Sequence, residues 1–131
     1  MNKTVLVVED NPANMKLVVM LLGTLEVTVL QAFNAPEALD LAHTGHPDLI
    51  LMDIQLPGMD GMELTRILKQ DETTRPIPVL ALTALALKGD EERIMAAGCD
   101  GYIAKPIQYR SFLAIVKQIL TPSAPSQGIR P

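Results

Sequence analysis

Residues 49–61 read LILMDIQLPGMDG. Four consecutive apolar residues, Leu49 to Met52, leave no polar face for water, so the run suits a strand buried on both sides. It ends on an ionised residue, Asp53, and the Pro-Gly turn chemistry that follows predicts a loop leading into the next helix. A strand covered on both faces is the mark of a parallel sheet.

The rest of the chain agrees with this reading. Apolar runs rich in β-branched residues recur at 5–8 (VLVV), 27–32 (VTVLQA), 78–82 (PVLAL) and 101–104 (GYIA), and segments of helical period lie between them. Asn34 with Glu37, and Asp60 with Glu63, have the spacing of helix-capping pairs, while Gly98 suits a helix stop. Phe112, Leu113, Val116, Ile119 and Leu120 form one stripe of a last helix. Five strand-helix pairs predict an α/β doubly wound domain over residues 1–120, with helices on both faces of a five-stranded parallel sheet. Residues 121–131, TPSAPSQGIRP, carry three prolines and almost nothing apolar, and are expected to be a disordered tail.

A chain of 131 residues, 48% hydrophobic, holds one domain with a substantial core. Its net charge of −4 argues against nucleic acid or an anionic membrane surface, both of which need a basic face, and so favours a protein partner. No apolar stretch approaches the ~18 residues of a membrane span and no signal peptide is legible, so a cytoplasmic location is expected. The single cysteine, Cys99, excludes an internal disulfide and reads as a small buried thiol.

Parallel strands joined by right-handed crossovers all point the same way, so the residues after each strand collect at one sheet edge, where ligands bind. Glu9 and Asp10 follow the first strand, Asp53 the third, Thr83 the fourth, and Lys105 with Pro106 the fifth. The second run ends in Ala32 and Phe33, without charge, as an edge strand outside the crevice would. Carboxylates about 4 Å apart repel by about 4 kcal/mol per pair at an effective dielectric of 20, and Lys105 alone cannot neutralise three of them. A hard divalent ion such as Mg2+ fits that deficit and leaves room for phosphate oxygens. An aspartate can then act as a nucleophile and form an acyl phosphate, with the Thr83 hydroxyl and Lys105 holding phosphoryl oxygens.

The segments VVED, LILMDIQLPGMDG, PVLALTA and YIAKP resemble the four signature segments of the response-regulator receiver family, over residues 1 to about 120. The resemblance implies a flavodoxin-like sheet of order 2-1-3-4-5, with Asp53 as phosphoacceptor. It implies Mg2+ bound by Asp10, Asp53 and the backbone carbonyl of Gln55, with Glu9 joined through water. It also implies a two-position switch in which Thr83 and the aromatic Tyr102 respond to phosphorylation. EDNPANMKL and LKGDEERI are similar to small single-domain cell-division and phosphorelay regulators of the DivK type. Glu9 departs from the aspartate common at its position, keeping the charge on a longer arm.

The implied function is that of a stand-alone phosphoacceptor in a two-component or phosphorelay pathway. A histidine kinase or histidine phosphotransfer protein would supply the phosphoryl group, and a downstream protein would read the result. The chain would be a monomer or weak dimer, and no enzyme beyond self-catalysed phosphorylation and autodephosphorylation. A receiver domain of a hybrid histidine kinase is the nearest alternative. An aspartyl-phosphate phosphatase of the haloacid-dehalogenase type would need a second aspartate where Gln55 stands, and a flavodoxin-like cofactor domain would have its phosphate repelled by Glu9 and Asp10.

Two further expectations concern surfaces. In the first helix, Leu17, Val18, Leu21, Leu22 and Leu25 are expected to face the sheet, which turns Val19 and Met20 to solvent with Met15 at the margin. Together with Pro106 and Ile107, these three residues are candidates for kinase or phosphotransfer docking. His43 and His46 have a spacing that could suit a metal, but they are expected in a solvated loop at the far end of the sheet.

Overall fold

Alternation along the strands divides the core into two layers. The structure, a computed structural model, describes residues 3–56, 58–84 and 88–121. Its strands are β1 (Lys3–Val8), β2 (Val27–Ala32), β3 (Leu49–Asp53), β4 (Val79–Thr83) and β5 (Gly101–Ala104). All are parallel, in the order β2-β1-β3-β4-β5. The helices between and after them are α1 (Pro12–Leu22), α2 (Ala35–Gly45), α3 (Gly61–Gln70), α4 (Lys88–Ala96) and α5 (Tyr109–Leu120). Leu6, Val8, Ile50, Met52, Val79 and Ala81 face one way, onto α2, α3 and α4. Val5, Val7, Leu49, Leu51, Leu80 and Leu82 face the other, onto α1 and α5. Every residue of β3 and β4 is buried, as the uninterrupted apolar runs require. Burying each large aliphatic side chain contributes about 1.5–3 kcal/mol, so these two layers are the main source of stability.

Local signals set the helix ends. The side-chain oxygens of Asn34 and Asp60 accept hydrogen bonds from the backbone N–H groups of Glu37 (2.9 Å) and Glu63 (2.8 Å). Gly98, at φ +109°, adopts the left-handed conformation that ends the α4 turn. The α5 stripe packs as expected, with Phe112, Val116 and Leu120 buried and Leu113 and Ile119 half-buried against the same layer.

Three expectations need correction. The buried stripe of α1 is Met15, Val18 and Leu22, while Leu17 is 43% exposed. Val19 is half-buried, and only Met20, 63% exposed, stands well out in solvent. The reason lies at the helix start. Asn11 caps it through the N–H groups of Ala13 and Asn14, with Pro12 in the first helical position, and this fixes the phase of a helix whose apolar residues lie on nearly every side. Met15 is thus core, 2% exposed, at the floor of a groove that Val19 and Met20 also line. His43 does not lie in a loop. It occupies the last turn of α2, which runs through Gly45 because the absent side chain leaves room for Leu30 of β2; His46 then closes the helix at φ +46°. The expected tail lies, beyond Thr121, outside the described residues.

Candidate functional site

The C-terminal ends of β1, β3, β4 and β5 converge as expected. Glu9 (1% exposed) and Asp53 (3%) are buried there, and Asp10 is exposed beside them. Carboxylate oxygens of Glu9, Asp10 and Asp53 lie within 4.8 Å of one another. Lys105 reaches across from the end of β5, its Nζ 3.2 Å from Glu9 Oε1 and 3.6 Å from Asp53 Oδ1. Its own N–H donates to the Thr83 carbonyl at 2.8 Å, tying the two strand ends together, and Thr83 is buried at the end of β4. The peptide bond between Lys105 and Pro106 is cis.

Local hydrogen bonds orient the acids. The Gln55 N–H donates to Asp53 Oδ1 (3.0 Å), and the Asn11 N–H to Glu9 Oε2 (3.3 Å). Burial pushes the Glu9 carboxyl up to about 7; its hydrogen bond with Asp53 and the charge of Asp53 add to the rise, and Lys105 offsets only part of it. One amine therefore faces three carboxylates. That donor set, all hard oxygen with excess negative charge, fits a divalent cation of the Mg2+ class. Among the described residues, this is the one cluster of three or more potential ligand side chains.

Phe33, after the edge strand, is 38% exposed and takes no part in the cluster. Tyr102 is 37% exposed on β5, and its hydroxyl bonds the Glu91 carboxylate, which pushes its pKa above the ordinary value. A cavity of about 190 Å³ opens beside Glu9 and Lys105, walled by Asn14, Leu17, Pro106 and Ile107. Sequence reasoning overlooked Asn11, Asn14 and Leu17 in this setting. The Asn-Pro pair at 11–12 was a legible signal for a cap, whereas the placement of Asn14 and Leu17 depends on the helix phase.

Residues 5–117 match the response regulator receiver domain. The chain belongs to the response-regulator receiver family. Polar-differentiation response regulators DivK of Brucella ovis and Brucella anthropi are 52% and 51% identical to it over 120 residues, covering 92% of this chain and 98% of each relative. Among solved structures, the receiver domain of the sensor histidine kinase PA1611 of Pseudomonas aeruginosa superposes with a TM-score of 0.85 at 34% identity. That match covers 93% of this chain and 100% of the other, and the PA1611 domain has a magnesium ion coordinated in its active-site cleft. A putative response regulator from Chloroflexus aurantiacus superposes at 0.87 with 30% identity, covering 93% and 100%. The protein is accordingly a receiver domain of two-component signalling with the family's flavodoxin-like fold, and in this chain Glu9, Asp10 and Asp53 form an acidic cluster. No helix among the described residues is long and apolar enough to cross a membrane.

Proposed function

We propose that Asp53 is the phosphoacceptor and that the chain acts as a single-domain regulator in the cytoplasm. It would take its phosphoryl group from a histidine kinase or a histidine phosphotransfer protein and pass the signal to a downstream protein. The observation that carries this reading is the position of the Asp53 carboxylate, anchored at the end of a fully buried strand 3.6 Å from Lys105 and grouped with Glu9 and Asp10. Asp53 attacks the phosphorus of the donor; a P–O bond forms, the P–N bond of the phosphohistidine breaks, and the imidazole leaves with a proton. Lys105 offers its charge to one phosphoryl oxygen and the Thr83 hydroxyl donates to another. Asp10, Asp53 and the Gln55 carbonyl would hold Mg2+, with Glu9 linked through water. When bound, the ion neutralises carboxylate charge and takes up a phosphoryl oxygen.

The chain's only chemistry in this scheme is its own phosphorylation and dephosphorylation. The donor's docking face is the exposed side of α1 with Pro106 and Ile107. Val19 and Met20 stand at its surface with Met15 at the floor between them, and Leu17 joins it because it lines the cavity beside Lys105. Phosphorylation draws Thr83 toward the phosphoryl group and biases Tyr102 inward, which alters the surface that a downstream protein reads.

The test is intact-protein mass after incubation with acetyl phosphate and Mg2+. Wild type gains one phosphoryl group and Asp53→Asn gains none; labelling of that variant at the wild-type level refutes the assignment.

A further inference from the structure

Gly61 opens α3 directly against the backbone that carries Asp53. Its N–H donates to the Ile54 carbonyl at 2.8 Å. A Cβ built on it would strike the Asp53 carbonyl oxygen, stand 2.8 Å from the Ile54 Cα and lie 3.0 Å from the Met52 Cγ. Two of these three neighbours are backbone atoms, which cannot rotate away. Conformational freedom is not the reason for glycine here, since Gly61 does not need the left-handed region. Gly58 shows the contrast: it sits at φ +85° with nothing within 4 Å of its Cβ position. Gly58 serves a turn, and Gly61 serves an approach.

We infer that Gly61 is a positioning residue for phosphorylation: its missing side chain lets the start of α3 seat the Asp53–Ile54 backbone, which sets the Asp53 carboxylate opposite Lys105 and Thr83. The inference rests on Asp53 being the phosphoacceptor. On the other side the same backbone is held by the Ile54 N–H, which donates to the Leu82 carbonyl at 3.1 Å. Asp53 is therefore clamped between β4 and α3. An added methyl group pushes the two apart, and the displacement falls on the residue whose carboxylate must meet phosphorus in line. Misplacement by about 1 Å can cost on the order of 100-fold in rate.

The test compares Gly61→Ala with Gly58→Asn, in which asparagine tolerates the left-handed turn. Folding is followed by circular dichroism and labelling by acetyl phosphate at saturating Mg2+. In metal-free Gly61→Ala, amide NMR shifts are expected at Ile54, Gln55 and Lys105 but not along β2. Its limiting labelling rate is expected to fall at least tenfold at an unchanged half-saturating donor concentration, while Gly58→Asn keeps the wild-type rate. A folded Gly61→Ala with wild-type rate and unshifted Ile54 and Gln55 overturns the inference. If Gly61→Ala does not fold, Asp60→Ala takes its place, because it loosens the start of α3 by removing only the cap on the Glu63 N–H. A severalfold slower limiting rate then supports positioning, and an unchanged rate overturns it. Labelling that survives Asp53→Asn would instead overturn the phosphoacceptor reading itself.

Discussion

The His43 ring meets oxygen at both nitrogens: Nδ1 is 2.8 Å from the Leu39 carbonyl and Nε2 is 2.9 Å from Asp71 Oδ2. A carbonyl only accepts, and an ionised carboxylate only accepts, so both nitrogens carry hydrogen and the imidazolium form is favoured. The bond to Asp71, then that to Leu39, raises the His43 pKa above its ordinary value. The bond from His43, then those from Thr73, bring Asp71 down to about 2. A raised histidine pKa stabilises the fold fully below the unfolded value of about 6.5, and the gain disappears as pH rises through the folded value. A depressed aspartate pKa stabilises above about 3.9, and the gain disappears as pH falls toward 2. A double-mutant cycle of His43→Ala and Asp71→Ala, read by urea denaturation, is therefore expected to show stronger coupling at pH 5.5 than at pH 9, where a neutral imidazole keeps at most one N–H for Asp71. Equal coupling at both would contradict the charged pair. This contact was illegible in the sequence, because its partners lie 28 positions apart and the local HTGHP chemistry reads as a loop. Glu9, Asp10, Asp53, Thr83 and Lys105 were legible because each follows an apolar run, and parallel topology does the rest. Gly61 was not, since only the backbone packed against it explains its lack of a side chain.

Among the elements, α1 measures how far periodicity can be read. β3 and β4 were legible almost to the residue, because an all-apolar run ending in a polar group has a single way to sit in a parallel sheet. α1 presents apolar side chains on nearly every side, so several stripes satisfy the helical period and the Asn11 cap decides among them. The observed phase makes Leu22 fully buried and Met20 63% exposed. Leu22→Ala is expected to cost about 2–5 kcal/mol through lost burial and the cavity it leaves. Met20→Ala is expected to stay within about 0.5 kcal/mol. Urea unfolding checks both losses, and the phase itself is tested by Met15→Ala against Leu17→Ala: with Met15 2% and Leu17 43% exposed the larger loss is expected at Met15, and a larger loss at Leu17 would restore the leucine-rich stripe.

The molecule as a whole places its acids at one edge and the exposed Tyr102 on β5, beyond β4, so any change at Thr83 has a short path outward through the β4–β5 pairing, where Thr83 stands opposite Ala104. Tyr102 is one of two tyrosines in the chain, which makes its ionisation readable by ultraviolet absorbance. If beryllofluoride, as a phosphoryl mimic, draws the ring inward from Glu91, one tyrosine titration and the Tyr102 NMR resonances are expected to shift. Changes confined to the acid pocket would count against that switch. The strand order bears on how the chain is made as well as on how it signals. On a ribosome, β1 emerges first, β2 joins one of its edges and β3 the other, then β4 adds to β3 and β5 to β4. No strand has to be threaded between two that are already paired. Each nascent intermediate nevertheless presents an unpaired apolar edge, first β1, then β3, then β4, and such edges invite aggregation until the next strand arrives. Synthesis can thus add the sheet strand by strand, and the inner strands β1, β3 and β4 are all paired on both sides only when residues 101–104 dock on β4, which leaves β2 and β5 as the edges.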